Sequence, residues 1–122
     1  MTVIEAINYT DDIKPNNFAQ ETKLGWLSKL DGMIRAEVVD THEGGEDAPF
    51  VGYGEEDLGA VLVVPPPYDD IYVKWLEAQI DYANNEYDKY NNSAAAFNSA
   101  YTAFSGQYHR THMPKGTKIK FY

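Results

Sequence analysis

Three consecutive prolines, Pro65 to Pro67, constrain the fold of this chain more than any other feature. Proline lacks a backbone N–H and holds the residue before it in extended conformations, so no helix continues through the run. A helix is therefore predicted to begin near Asp69, because Asp69 or Asp70 can cap its free amides. The preceding residues 59–64 are apolar and include three β-branched valines, which predicts a strand or an extended buried segment.

Apolar side chains recur at helical spacing on both sides of a polar break after the prolines. Asn91, Asn92 and Ser93 form this break, and such residues favour caps and turns. The spacing predicts an antiparallel helical hairpin at about 69–90 and 93–112. Its predicted core residues are Tyr72, Trp75, Leu76, Ile80, Phe97, Tyr101 and Phe104.

The N-terminal part of the chain predicts two further helices. Thr2 and Glu5 have the spacing of a capping box, which predicts a short first helix. Residues 8–17 contain Asp, Asn and Pro and are predicted to form a loop, and a longer helix is predicted at about 18–39. The whole chain is therefore predicted to be a single, mainly α domain, a small helical bundle centred on the hairpin.

Length and composition narrow the functional classes. The chain has 122 residues, enough for one modest core, and no cysteine, so thiolate metal sites and cysteine nucleophiles are excluded. No run approaches the ~20 apolar residues of a membrane helix, and no signal peptide is visible, so we expect a cytoplasmic protein where it is made. A net charge of −9 argues against wrapping a nucleic-acid backbone.

The charges are unevenly distributed along the chain. Residues 41–59 are rich in Gly and acids and are predicted to form an exposed acidic excursion. Residues 115–122 form a basic tail, and the alternation within 117–122 predicts a strand that needs an edge to join. Opposite charges on the two segments make them candidate contacts between copies: Glu55, Glu56 and Asp57 in the excursion, and Lys118, Lys120, Phe121 and Tyr122 in the tail.

Few residues are arranged for catalysis. His109 and His112 could present two imidazoles on one helical face, but a zinc site needs further ligands. The pair Asp69–Asp70 has no nucleophile or oxyanion donor beside it in the sequence, and capping explains it. We therefore expect a non-enzymatic protein with no cofactor and no metal; an enzyme using the two histidines is the less favoured alternative.

Tyrosine and tryptophan are abundant in and beside the predicted hairpin. The chain has ten tyrosines and two tryptophans, and rings with polar groups are enriched at surfaces that a partner covers. Core packing is the simpler interpretation for Trp75 and Tyr101. Tyr82 and Tyr90 are predicted to lie at an interface.

Several segments together resemble a known group of phage proteins. They are LGWLSKLDG at 24–32, VPPPYD at 64–69, LEAQIDYAN at 76–84, YNNSA at 90–94, FNSAY at 97–101 and RTHMP at 110–114. In these segments the chain resembles head–tail connector proteins (head-completion or adaptor proteins) of tailed phages and prophages of Gram-positive hosts. The resemblance extends over nearly the whole chain except the acidic excursion and the tail.

This resemblance implies a mostly helical adaptor without catalytic residues. It implies a ring homo-oligomer that contacts the phage portal protein and a downstream tail or stopper protein, with DNA passing nearby without tight binding. The implied location is the host cytoplasm during assembly and then the head–tail interface of the virion. The alternative is a cytoplasmic phage or prophage regulator that binds a host protein through its acidic surface.

Overall fold

The computed structural model describes residues 1–41 and 50–112 and has four α-helices in these ranges. They are α1 (Val3–Ile13), α2 (Gln20–Glu37), α3 (Ile71–Ala83) and α4 (Tyr87–Thr111). Two single turns of 3₁₀ helix lie at Val39–Thr41 and Glu55–Asp57. The predicted mainly α fold is confirmed, whereas the predictions for residues 42–49 and for the tail, including Lys118, Lys120, Phe121 and Tyr122, lie outside the described residues.

Helix α1 begins with the predicted capping box. The Glu5 amide donates to Thr2 Oγ1 at 3.3 Å, and the Thr2 amide donates to Glu5 Oε1 at 2.8 Å. The predicted loop at 8–17 is wrong in its first half, because α1 continues to Ile13. The helix continues because its inner face remains apolar as far as Thr10, whose hydroxyl is satisfied by the Ala6 carbonyl at 2.8 Å.

The apolar run before the prolines is extended but does not belong to a sheet. A single antiparallel bridge joins Val61 to Thr2. The amides of Val3 and Ile4, which a helix start leaves without partners, donate to the carbonyls of Ala60 and Leu58 at 3.0 and 2.9 Å. The segment therefore caps α1 with its backbone. It is extended rather than part of a sheet, and of its side chains Leu62 and Val64 are buried, whereas Val61 is 73% exposed.

The break between α3 and α4 differs from the predicted position. Asn91, Asn92 and Ser93 are helical, and the chain turns at 84–86 instead. Contacts between the two helices follow opposite orders along the chain: Tyr82 with Tyr90, Asp81 with Ser93, and Trp75 with Phe97.

The aromatic spacing on α4 explains why its first turn extends back through the asparagine pair. Aromatic residues and one alanine recur on one face of α4 in alternating steps of three and four from the first residue of the helix: Tyr87, Tyr90, Ala94, Phe97, Tyr101, Phe104 and Tyr108. This unbroken apolar stripe gains more from packing than two exposed asparagines lose in helix propensity. Tyr87 and Tyr90, which the sequence placed on the first helix of the hairpin, thus belong to the second helix, α4.

The core lies where α1, α2 and α3 meet the extended segment and the inner face of α4. Of the residues predicted for the hairpin core, Tyr72, Leu76, Ile80, Phe97 and Phe104 are buried, whereas Trp75 and Tyr101 are partly buried. Helix α2 matches its predicted position to within two residues at each end. A Cβ at Gly32 would lie 3.5 Å from the Phe50 ring, which is an ordinary contact, so the packing of α2 does not require glycine at this position.

Candidate functional site

The turn between α3 and α4 is held by a network of backbone hydrogen bonds. The amide of Asn85 donates to the Tyr82 carbonyl at 3.0 Å, and that of Glu86 donates to the Asp81 carbonyl at 2.9 Å. With Asn85 at φ 60°, this is the Schellman arrangement that closes a helix end. Asparagine tolerates this left-handed conformation better than most residues, so Asn85 explains the position of the turn.

Three tyrosines cluster on this turn. The Tyr82 ring centroid lies 5.9 Å from that of Tyr87 and 5.2 Å from that of Tyr90, both with edge-to-face geometry. Tyr82 and Tyr87 are 57% and 54% exposed, and Tyr90 is partly buried. The Tyr87 hydroxyl donates to Asn85 Oδ1 at 2.9 Å, so the turn and the rings support one another. We call these three residues the tyrosine turn.

Most other rings in α3 and α4 are satisfied inside the chain. Trp75 donates its indole N–H to the Trp26 carbonyl at 2.8 Å, and Tyr101 donates its hydroxyl to Glu37 Oε1 at 3.0 Å. Burial, together with the Glu37 carboxylate, raises the pKa of Tyr101 to about 12. Fewer aromatic rings than the sequence suggests are therefore left exposed for a partner to cover. In α3 and α4 these rings are Tyr82 and Tyr87.

A buried carboxylate, Asp31, joins four parts of the fold. Its Oδ1 accepts from the Tyr72 hydroxyl at 2.6 Å, and its Oδ2 accepts from the Val63 amide at 3.2 Å and from the Tyr53 hydroxyl. The Tyr72 hydroxyl in turn accepts from the Val64 amide at 2.7 Å. Asp31 and Tyr72 are both 0% exposed. We call Asp31, Tyr53 and Tyr72 the buried polar centre.

Burial changes the proton affinity of this centre. It raises the pKa of Asp31 above the ordinary value of 3.8, although the hydrogen bonds from Tyr53, Tyr72 and Val63 oppose the shift. Burial also raises the pKa values of Tyr72 and Tyr53, and the nearby Asp31 carboxylate adds to both shifts. Because its hydrogen bonds join α2, α3 and the segments that carry Tyr53 and Val63, the centre is a structural connection between elements.

The described half of the acidic excursion is anchored to α2. Gly52 has φ 92°, which directs the Tyr53 amide to Ser28 Oγ at 2.8 Å, and the Phe50 and Tyr53 rings pack edge to face. Phe50 and Tyr53 thus depart from the predicted exposed excursion because the buried polar centre binds Tyr53, whereas Val51 between them is 94% exposed as predicted. Beyond them, Glu55 and Glu56 are exposed as expected, and Asp57 is partly buried with its carboxylate accepting from the Gly54 amide at 2.8 Å.

The two candidate metal-binding histidines lie at the end of α4. His112 stacks on Tyr108, with ring centroids 3.8 Å apart. Within residues 1–41 and 50–112, no group of three or more His, Asp or Glu side chains is arranged to hold a metal ion. The Asp69–Asp70 pair does not form the predicted cap, because Asp70 precedes α3 without a side-chain hydrogen bond to it. Asp69 instead lies 3.5 Å from the Met1 nitrogen.

A second buried carboxylate, Asp81, borders a depression of about 320 Å³. Lys14 Nζ lies 2.7 Å from Asp81 Oδ1, and the Ser93 hydroxyl donates to Oδ2 at 2.9 Å. Lys89, also on the rim, pairs with Glu86 at 2.7 Å. Through Asp81, these contacts tie the end of α1 to α3 and to α4. Neither role was predicted from the sequence, although Asp31 lies four residues after Leu27 and three before Ile34, at the spacing of the apolar face of α2.

The comparisons with known proteins add no relative. No family model, curated protein or solved structure matches the chain. No helix in the described part of the chain is both long and apolar enough to cross a membrane. The candidate functional site is thus defined by geometry: an exposed aromatic group on a rigid turn, with Tyr82 and Tyr90 in contact as neighbours.

Proposed function

We propose that the chain is a non-enzymatic assembly protein of a tailed phage, a head–tail connector adaptor that forms a ring on the portal. The observation that carries this proposal is the tyrosine turn. Tyr82 and Tyr87 are more than half exposed, yet the hydrogen bonds of the turn hold their positions. Rigid, partly polar rings of this kind are the residues that most often dominate the binding energy of protein interfaces.

A ring of identical chains requires two different contact surfaces on each chain. Head-to-tail contacts require two different complementary patches on each copy, and closure of the rotation makes a ring. The tyrosine turn supplies one patch of the proposed contact. A net charge of −9 suits a wall past which DNA moves, because like charges prevent adhesion. The resemblance of the sequence segments to connector proteins supports the same proposal.

The test measures mass and stoichiometry after the purified chain is mixed with the portal protein encoded beside it. We expect a ring on the portal for the wild type and loss of this complex for the double variant Tyr82→Ser/Tyr87→Ser. Each lost ring is expected to weaken the contact by about 2 kcal/mol or more. Val51→Ser is the control, because Val51 is 94% exposed and lies outside the tyrosine turn. Absence of any complex for the wild type at all salt concentrations would contradict the proposal.

The regulator is the second candidate, and the exposure of Glu55 and Glu56 favours it. In this role, acidic side chains on the 3₁₀ turn at Glu55–Asp57 would bind a basic surface of a host protein. Pull-down from host extract with the wild type and with Glu55→Gln/Glu56→Gln distinguishes the two functions. A host partner that depends on these glutamates and not on Tyr82, together with no portal binding, supports the regulator.

A further inference from the structure

A groove between α1 and the start of α3 has no assigned role. Two adjoining depressions of about 730 and 220 Å³ lie between α1 and the start of α3 and share Met1, Tyr9 and Asp69 in their walls. Their apolar surface includes Tyr9 and Ile13, which are 57% and 49% exposed although they belong to a regular helix. The groove thus leaves apolar area uncovered along one face of α1.

Acidic side chains surround this apolar surface. Glu5 and Asp12 line it from α1, and Asp69 and Asp70 line it from the start of α3. Lys74 and the Met1 nitrogen, which lies 3.5 Å from Asp69 Oδ2, are the only positive groups that line these two depressions in the described structure. An occupant that alternates apolar and basic side chains would therefore match the groove in both respects.

The chain itself contains such a segment. Residues 115–122 carry Lys115, Lys118 and Lys120 and no acid, and Ile119 and Phe121 alternate with the last two lysines. The described part of the chain ends at His112. We propose that residues 115–122 bind in the groove between α1 and α3 of the same chain, with the lysines towards the acidic rim.

The end of α4 lies close enough for this binding. Phe104 of α4 packs against Tyr68, which directly precedes Asp69, with ring centroids 6.4 Å apart. From Phe104 the helix advances by roughly 12 Å to His112, at about 1.5 Å per residue. The ten residues that follow span at most about 35 Å when extended. A tethered segment also acts at an effective concentration in the millimolar range, so modest contacts suffice.

Zero-length carbodiimide cross-linking of the purified full-length chain tests this proposal. The reagent joins lysine amines to carboxylates in contact, and mass spectrometry identifies the joined peptides. Equal amounts of unlabelled and ¹⁵N-labelled chain are mixed beforehand, so that links within one chain differ in mass from links between chains. We expect Lys118 and Lys120 to be joined to Glu5, Asp12, Asp69 or Asp70, and both joined peptides to carry the same isotope.

The variant Ile119→Ser/Phe121→Ser keeps all these lysines and carboxylates. We expect it to reduce the cross-link yield by about tenfold, because burial of two apolar side chains is lost. Val51→Ser, at a side chain that is 94% exposed, is the control and should leave the yield unchanged. An unchanged yield in the double variant, mixed-isotope links in the share that random pairing of the two labels gives, or equal linking of the tail lysines to Glu55 and Glu56 would each overturn the proposal. A failed or successful portal experiment does not affect this result, because the chain is tested alone.

Discussion

Tyr72 and Tyr82 lie on the same helix, yet one is 0% and the other 57% exposed. The difference lies in what each hydroxyl can reach. Tyr72 donates to Asp31 and accepts from the Val64 amide, so its polar group loses nothing on burial. Tyr82 makes ring contacts with Tyr87 and Tyr90 at the turn. A tyrosine is thus a core residue where the fold supplies a partner for its oxygen, and a surface residue where it does not.

Among the substitutions that test this difference between Tyr72 and Tyr82, removal of the Asp31 carboxylate should lower the free energy of unfolding most. In Asp31→Ala the hydroxyls of Tyr53 and Tyr72 and the Val63 amide lose their common acceptor. Several buried donors left without partners should lower the free energy of unfolding by about 3–5 kcal/mol. Urea denaturation measures this loss, with Asp12→Ala on the exposed side of α1 as a control expected to change it by less than about 0.5 kcal/mol. Equal effects of the two substitutions would contradict the role given to the buried polar centre.

Matched tyrosine-to-phenylalanine substitutions compare the two ends of α3 directly. Tyr72→Phe removes one hydroxyl and leaves the Val64 amide without its acceptor, so we expect a loss of about 1–3 kcal/mol. Tyr82→Phe removes a hydroxyl from an exposed ring and should change the free energy of unfolding by less than about 0.5 kcal/mol. Thermal and urea unfolding of both variants provide the comparison. A Tyr82→Phe loss as large as that of Tyr72→Phe would show that Tyr82 has a structural partner.

The turn that presents Tyr82 and Tyr87 allows a smaller test. Asn85→Ala forces an alanine into the left-handed region at φ 60°, which should lower stability by about 1 kcal/mol. Asn91→Ala, within the exposed first turns of α4, should instead raise it by up to about 0.7 kcal/mol. Changes of opposite sign in the free energy of unfolding of these two variants, measured at equilibrium, would verify the turn at 84–86. The reverse pattern is expected only if the chain turns at Asn91–Asn92.

The buried polar centre should make the free energy of unfolding depend on pH. Because burial raises the pKa of Asp31, the folded state holds this proton more tightly than the unfolded state does. The contribution of Asp31 to the free energy of unfolding is therefore complete below about pH 3.8. It is lost as pH rises through the raised pKa of Asp31 in the folded state. The difference in unfolding free energy between wild type and Asp31→Asn should fall over that range. A difference that grows with pH would mean that hydrogen bonds outweigh burial.

The sequence predicted the helices better than their connections. The capping box at Thr2 and Glu5 acts within one turn, and it is found as expected. The turn between α3 and α4 was predicted at the wrong one of two asparagine pairs. The unbroken aromatic spacing from Tyr87 to Tyr108 could have excluded the second pair, because a helix that breaks there would divide a continuous stripe. Tyr82 was predicted to lie at an interface, and its exposure leaves that prediction open to test.

The spacing of apolar residues, the capping box and the run of prolines determined that this chain is helical and roughly where α1, α2 and α3 begin, because such signals act between close neighbours in the sequence. Only the tertiary structure decided which polar groups are buried. Asp31 meets partners that are 22, 32 and 41 residues distant in the chain. No local pattern encodes contacts of that length, because they arise when α2, α3 and the extended segment pack together. The same packing leaves Tyr82 outside.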